Sequence, residues 1–257
     1  MKKSFIKNYN DFAKELSDKI KSDENFYYEL LITVIKSPQR YTGIFRVSNA
    51  NTKLLQNVTQ SREIKFGDFM EELITWYINA MGYENIDKNM SSALLADQLF
   101  RREGVIYLIE QKIRDDHDST KKKGKSKYHD CIINAVMWFI DDGLKKNRNY
   151  YREQAALDSE TAHEINIHIM YGGELFTEIF DRPDVWEEIC EHLTRNKLER
   201  SKEKLDIPDF DTSKEMLEAL RRLKREKPSL YEKLLHSPEY EQLRTELFPT
   251  RKNFNLA

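Results

Sequence analysis

The chain has 257 residues, 39% hydrophobic and 33% charged, with a formal net charge of −2. This is the composition of a folded, charge-dense chain, long enough for one large domain or a core with helical additions. No apolar run approaches the roughly 20 residues a membrane helix needs, so no membrane partner is expected. The charge excludes nucleic-acid binding by bulk electrostatics alone, but not binding through a local basic cleft. Two cysteines, Cys131 and Cys190, cannot build a disulfide framework, and no Cys/His spacing suggests structural zinc. The start, Met1-Lys2-Lys3-Ser4, is basic but lacks the apolar stretch of a secretion signal, so a reducing, cytoplasmic setting is expected.

From Asn10 to about Ile35 the pattern is helical, with Phe12, Leu16 and Ile20 on one face, then Tyr27, Leu30, Leu31 and Val34 on another. Arg46 to Thr52 reads as a polar turn. A strong helix is predicted from about Phe66 to Met81, stopped by Gly82. Leu94 to Phe100 reads as a strand, Arg101 to Gly104 as a turn, and Val105 to Lys112 as a second strand. The run Val105-Ile106-Tyr107-Leu108-Ile109 hardly alternates, which predicts a central strand covered on both faces. Further strands are predicted at Ala135 to Ile140 and at Glu164 to Tyr171, with a helix from Tyr150 to Leu157 between them. From Glu174 onward the chain reads as helical, with stripes at Trp186, Ile189, Leu193 and at Leu217, Leu220, Leu223; Pro208, Pro228, Pro238 and Pro249 separate the late helices.

The chemistry concentrates in Ala96-Asp97-Gln98 and Leu108-Ile109-Glu110-Gln111-Lys112. Alternation along a strand puts Glu110 and Lys112 on one side. A tight turn at 101–104 folds the preceding strand back, which can bring Asp97 near Glu110. Two converging carboxylates suit a hard cation such as Mg²⁺, and a nearby ammonium favours a deprotonated water. Together they fit hydrolysis of a phosphodiester. An acid-x-Lys triplet is common in so charged a chain and recurs at Glu63-Ile64-Lys65, where no strand carries it. Glu110 and Lys112, by contrast, close an almost wholly apolar strand, where idle charges are costly.

Phe69-Met70-Glu71, Gly82-Tyr83, Ala96-Asp97 and Tyr107-Leu108-Ile109-Glu110-Gln111-Lys112, in this order, resemble the core of the PD-(D/E)XK nuclease superfamily. Ala96 stands where the nominal motif has proline. The resemblance covers about residues 66–112 and, in size and the absence of a Gly-rich phosphate loop, is closest to type II restriction endonucleases. It implies an α/β fold: a mixed central β-sheet of the restriction-endonuclease-like core flanked by helices, with a helical N-terminal segment and a helical C-terminal region. The expected division is 1–62 as a helical, DNA-contacting segment, 63–182 as the catalytic core and 183–257 as a helical region. By the same resemblance Asp97 and Glu110 bind Mg²⁺, Lys112 assists the attacking water, and Glu71 is a further acid near the metal. Glu71 is preferred to Glu72 because Ile74, Ile78 and Gly82 follow it in the family's phase.

After Lys112 comes Ile113-Arg114-Asp115-Asp116-His117-Asp118-Ser119-Thr120-Lys121-Lys122-Lys123. Arg114, Asp116, His117, Asp118, Ser119 and Thr120 are candidates for base edges, and Lys121, Lys122 and Lys123 for phosphates. A second candidate reader holds Asn49, Asn51 and Lys53, with Gln56, Asn57 and Gln60 beyond, because Asn and Gln pair bidentately with adenine. A type II enzyme of this kind implies double-stranded DNA as substrate, a homodimer matched to a symmetric site, and a companion DNA methyltransferase encoded nearby in a bacterium or archaeon. The alternatives are a repair, recombination or mobile-element nuclease that recognises DNA structure, and a non-enzymatic helical binding protein.

Overall fold

The computed structural model describes residues 6–21, 24–45, 47–86, 96–114, 133–143, 145–161, 165–201 and 209–257. It divides into two compact units, one made of Met1–Leu16 with Phe66–Ser201, the other of Ser17–Lys65 with Lys202–Ala257.

The first unit is built on a five-stranded sheet in sequence order, β1 (Glu84–Asn85), β2 (Gln98–Arg102), β3 (Val105–Lys112), β4 (Ile133–Phe139) and β5 (Ile165–Tyr171). β2 is antiparallel to its neighbours β1 and β3; β3, β4 and β5 run parallel. The mixed α/β architecture expected from the sequence is therefore present, and β3 lies in the middle of the sheet as its unbroken apolar run required. Its bounds are those predicted. The turn before it is tighter than expected: Arg102 pairs with Val105, leaving only Glu103 (φ 51°) and Gly104 (φ 82°) between. Two successive positive φ angles make a type I′ hairpin, whose twist matches that of the strands. β2 starts at Gln98, later than the expected Leu94, so Asp97 stands just ahead of the strand. β4 is shifted two residues towards the N-terminus at its start.

Side chains alternate across this sheet. One face carries Leu99, Ile106, Leu108 and Ile133 as a buried cluster, and further along Phe139 and Tyr171 packed with Tyr151 of α5 (Arg148–Thr161). The other carries Phe100, Tyr107 and Trp138. Phe100 stacks on Tyr107 at 5.1 Å and meets Phe180 at 5.3 Å, while Trp138 meets Phe176 and Trp186 edge-on at 5.9 and 6.0 Å. These partners come from α6 (Glu174–Glu178), the following bend and α7 (Pro183–Arg200).

Among the described residues, α1 (Tyr9–Ile20), α2 (Glu24–Lys36), α3 (Gln39–Thr42) and α4 (Ala50–Ala80) precede the sheet. The change of apolar face within residues 10–35 is thus a boundary between two helices. The predicted helix at 66–81 starts much earlier, at Ala50, so the turn expected over 46–52 ends at Asn49. The reason is the burial pattern: Ala50, Leu54 and Val58, four residues apart, are each at most 1% exposed and form one inward face of a helix. Gly82 ends α4 as expected, at φ 84°, with Tyr83 N donating to Ile78 O and Gly82 N to Asn79 O; only glycine takes that conformation without strain.

The second unit packs α2 against α8 (Lys214–Glu226), with α9 (Pro228–His236), α10 (Glu241–Leu247) and α11 (Lys252–Leu256) completing it. Its core includes Leu31, Ile35, Leu54, Leu220, Leu234 and Leu243. Pro228 opens α9 and Pro249 lies between α10 and α11, as their inability to continue a helix dictates. The core stripe of α8 is Met216, Ala219, Leu220 and Leu223; Leu217, expected there, is half-buried.

Candidate active site

The antiparallel register of β2 and β3 pairs Gln98 with Ile109 and Leu99 with Leu108. Extended by one residue, it sets Asp97 opposite Glu110. Paired residues point to the same side, so Asp97, Glu110 and Lys112 share the sheet face of Leu99 and Leu108. Glu110 and Lys112 form an ion pair there, their side chains 41% and 39% exposed. Neither is buried, so the pair is reachable from solvent while its strand is not.

Asp97 is half-buried, and its Oδ2 accepts the backbone N–H of Gln111 at 2.7 Å. Burial raises its carboxyl above the ordinary value of 3.8. The Gln111 N–H opposes that rise, the Glu110 charge adds to it, Lys112 opposes it, and Glu71 adds a smaller push of the same sign as Glu110. Three groups that the sequence singled out, Glu110, Lys112 and Glu71, therefore bear on a fourth, Asp97. Glu71 on α4 is half-buried, and Glu72 beside it is exposed.

Two polar residues that sequence reading passed over tie this arrangement together. Gln98 is fully buried. Its amide nitrogen donates to Glu71 O at 2.9 Å and to Gln111 Oε1 at 3.4 Å, and its carbonyl accepts from Thr75 Oγ1 at 2.8 Å. It fastens the turn of α4 that carries Glu71 to the strand that follows Asp97. The signal was present: Gln98 and Gln111 are amides of the opposite parity to Asp97 and Glu110, pointing into a covered face where an unpaired polar group would be costly.

The donor set fits Mg²⁺. That ion is held through one or two carboxylates, with water and phosphate oxygens completing its shell. Asp97 and Glu110 supply two carboxylates beside a third acid, Glu71. Among the described residues no group of three or more His, Cys, Asp or Glu closes into a metal cluster on its own, so the shell would depend on those added oxygens.

Of the candidate DNA-reading residues, Arg114 is exposed two residues past β3, while Asp116, His117, Asp118, Ser119, Thr120, Lys121, Lys122 and Lys123 lie outside the described residues. In the second unit Asn49 caps α4, its Oδ1 accepting Thr52 N at 2.8 Å. Asn51 donates to Glu246 O at 3.5 Å and Lys53 to Gln56 at 3.2 Å. Asn51 and Lys53 are thus helical, not part of a loop. Cys190 is a free thiol, pushed up to about 11 chiefly by burial, and among the described residues no helix is long and apolar enough to cross a membrane.

Residues 4–99 match a family model described as type II restriction endonuclease, HinfI. The match spans well under half of the chain; it takes in Glu71 and Asp97 and ends before Glu110 and Lys112. No curated protein and no solved structure matches the chain. Over its first hundred residues the chain is similar to type II restriction endonucleases, the group its motif order resembles.

Proposed function

We propose that this chain is a type II restriction endonuclease of the PD-(D/E)XK kind, hydrolysing phosphodiester bonds of double-stranded DNA at a short specific site with Mg²⁺. The observation that supports this most is the common face of Asp97, Glu110 and Lys112 at the exit of a buried central strand, with Glu71 close enough to act on Asp97. Two residues of the matched family span take part, and two lie beyond it.

Asp97 and Glu110 would hold the metal, which when bound stabilises charge on the phosphate and helps generate the nucleophile. The Gln111 N–H fixes the rotamer of Asp97, so one oxygen is oriented before substrate arrives, and such orientation lowers the barrier without further reorganisation. Lys112, held by Glu110, is aimed along the same face; its ammonium orients the attacking water and favours the hydroxide form. Water oxygen bonds to phosphorus, the opposite P–O bond breaks, and the departing oxygen takes a proton, leaving a hydroxyl and a phosphate monoester. A symmetric site would call for a homodimer, and a companion methyltransferase for protection of the host DNA.

The test is incubation of the purified protein with plasmid and bacteriophage DNA, with Mg²⁺ or with EDTA, beside Asp97→Ala. Discrete metal-dependent fragments that vanish in the variant are expected. A metal-dependent smear would point to recognition of DNA structure, and no cleavage of any DNA, methylated or not, would overturn the reading.

A further inference from the structure

Large apolar side chains are exposed at ten described positions, and seven of these are scattered singly. The other three are Ile44, Phe45 and Val47, exposed by 91%, 92% and 107% in one short loop of the second unit. Contiguous exposed apolar groups of this kind mark interaction sites.

The stem of the loop is fixed on both sides. At its start, a Cβ on Gly43 would lie 2.4 Å from the carbonyl oxygen of Gln39, so the chain can leave α3 this closely only through glycine. At its end Asn49 caps α4. Beneath it Tyr41, 1% exposed, accepts a hydrogen bond from Asn57 at 2.5 Å. The apolar tip is therefore held out in solvent by a packed base.

Its surroundings in sequence are cationic. From Leu30 to Arg62 there is no Asp or Glu, the longest such run in a chain with 44 acidic residues, while Lys36, Arg40, Arg46, Lys53 and Arg62 all fall within it. The acid that packs nearby, Glu246 of α10, is engaged: its carboxylate accepts Ala50 N at 2.7 Å and Gln242 Nε2 at 3.0 Å. A symmetric contact with a second copy would set these cations against themselves. A polyanion with an apolar interior suits both features. Resting on the endonuclease reading, we propose that Ile44, Phe45 and Val47 form a wedge that enters double-stranded DNA between base pairs, while Lys36, Arg40 and Lys53 hold the phosphates.

Intercalation unwinds the duplex, so it can be read without knowing the recognition sequence. Asp97→Asn protein would be bound to relaxed plasmid in Mg²⁺, topoisomerase added, and the linking number measured after deproteinisation. It would be compared with the same protein carrying Ile44→Ser, Phe45→Ser and Val47→Ser, and with a control carrying Leu157→Ser and Leu198→Ser. Reduced linking is expected for the parent and the control. The loop variant should melt with its parent, bind the plasmid on the order of 10-fold or more weakly, and leave the linking number unchanged. Equal unwinding and affinity in the loop variant would overturn the wedge. So would a loss of self-association, seen by sedimentation, with unwinding intact, since the loop would then be a contact between copies. Failure of the unsubstituted protein to cut any DNA overturns the endonuclease reading beneath it, a result distinct from the other two.

Discussion

Glu188 on α7 is only 3% exposed, yet its carboxylate accepts three hydrogen bonds: Ile6 N and Lys7 N at 2.7 Å each and Tyr77 Oη at 2.6 Å. His192, one turn on, bonds Lys7 O at 2.8 Å. Together they fasten the start of the chain to α7 and to the helix that carries Glu71. Replacing Glu188 by leucine keeps the bulk and removes both oxygens that accept the three bonds. Hydrogen bonds to charged groups contribute roughly 1.5–3 kcal/mol each, and an orphaned buried donor costs about 1–3 kcal/mol. Ile6 is half-buried, so its N–H can turn to water, whereas Lys7 is 6% exposed. Tyr77, fully buried, cannot turn to water, and burial followed by the Glu188 bond and charge holds its hydroxyl protonated as a donor. The net loss should be about 3–5 kcal/mol, or on the order of 10 °C in Tm for a chain of this size. Urea and thermal melts followed by circular dichroism measure it. Adding Tyr77→Phe to Glu188→Leu should restore about 1–2 kcal/mol by removing the orphan. A loss below about 1 kcal/mol, or no rescue, would refute the claim that this carboxylate organises the unit.

Two further outcomes follow from the site itself. Because burial first, and then the neighbouring carboxylates, raise Asp97 above 3.8 in the folded protein, the wild type loses stability as pH rises from the unfolded value through the raised folded one. Asp97→Asn should therefore be at least as stable as the wild type at pH 7 in metal-free urea titrations, with the advantage vanishing below about pH 3, and only the wild type should gain Tm on adding Mg²⁺; a variant less stable at pH 7 contradicts the reasoning. Gln98→Leu removes the bonds to Glu71 O, Thr75 and Gln111, and should cost about 1–3 kcal/mol of stability while lowering kcat with little change in KM, since it displaces acids and not the DNA-contacting surface. Full activity in that variant would mean Gln98 is only packing.

The site was legible because strand chemistry is local. An unbroken apolar run predicts a covered strand, period 2 puts Glu110 and Lys112 together, and a short turn returns Asp97 opposite Glu110; β3 has the predicted bounds. Glycine at 82 and the prolines at 228, 238 and 249 marked real helix boundaries for the same local reason, while Pro208 lies outside the described residues. Where several weak signals competed, the reading failed. The polar run from Arg46 to Thr52 suggested a turn, but the burial of Ala50, Leu54 and Val58 prevailed and made the segment helical from Ala50. On α7 the buried stripe runs Val185, Glu188, Ile189, His192 and Asn196, and a search for apolar periodicity could not find a helix face whose inward positions are partly polar.

The sequence by itself determined the strand order around the hairpin, the convergence of Asp97, Glu110 and Lys112, and the end of α4 at Gly82, each set by bonds and sterics within about twenty residues. Only the tertiary structure decided that Leu16 and Ser17, and Lys65 and Phe66, part company between two interleaved units, that Glu188 receives the chain start from 181 residues away, and that Gln98 is buried against α4. Those outcomes depend on which distant donor meets which acceptor once the core has closed. No window along the chain contains both partners.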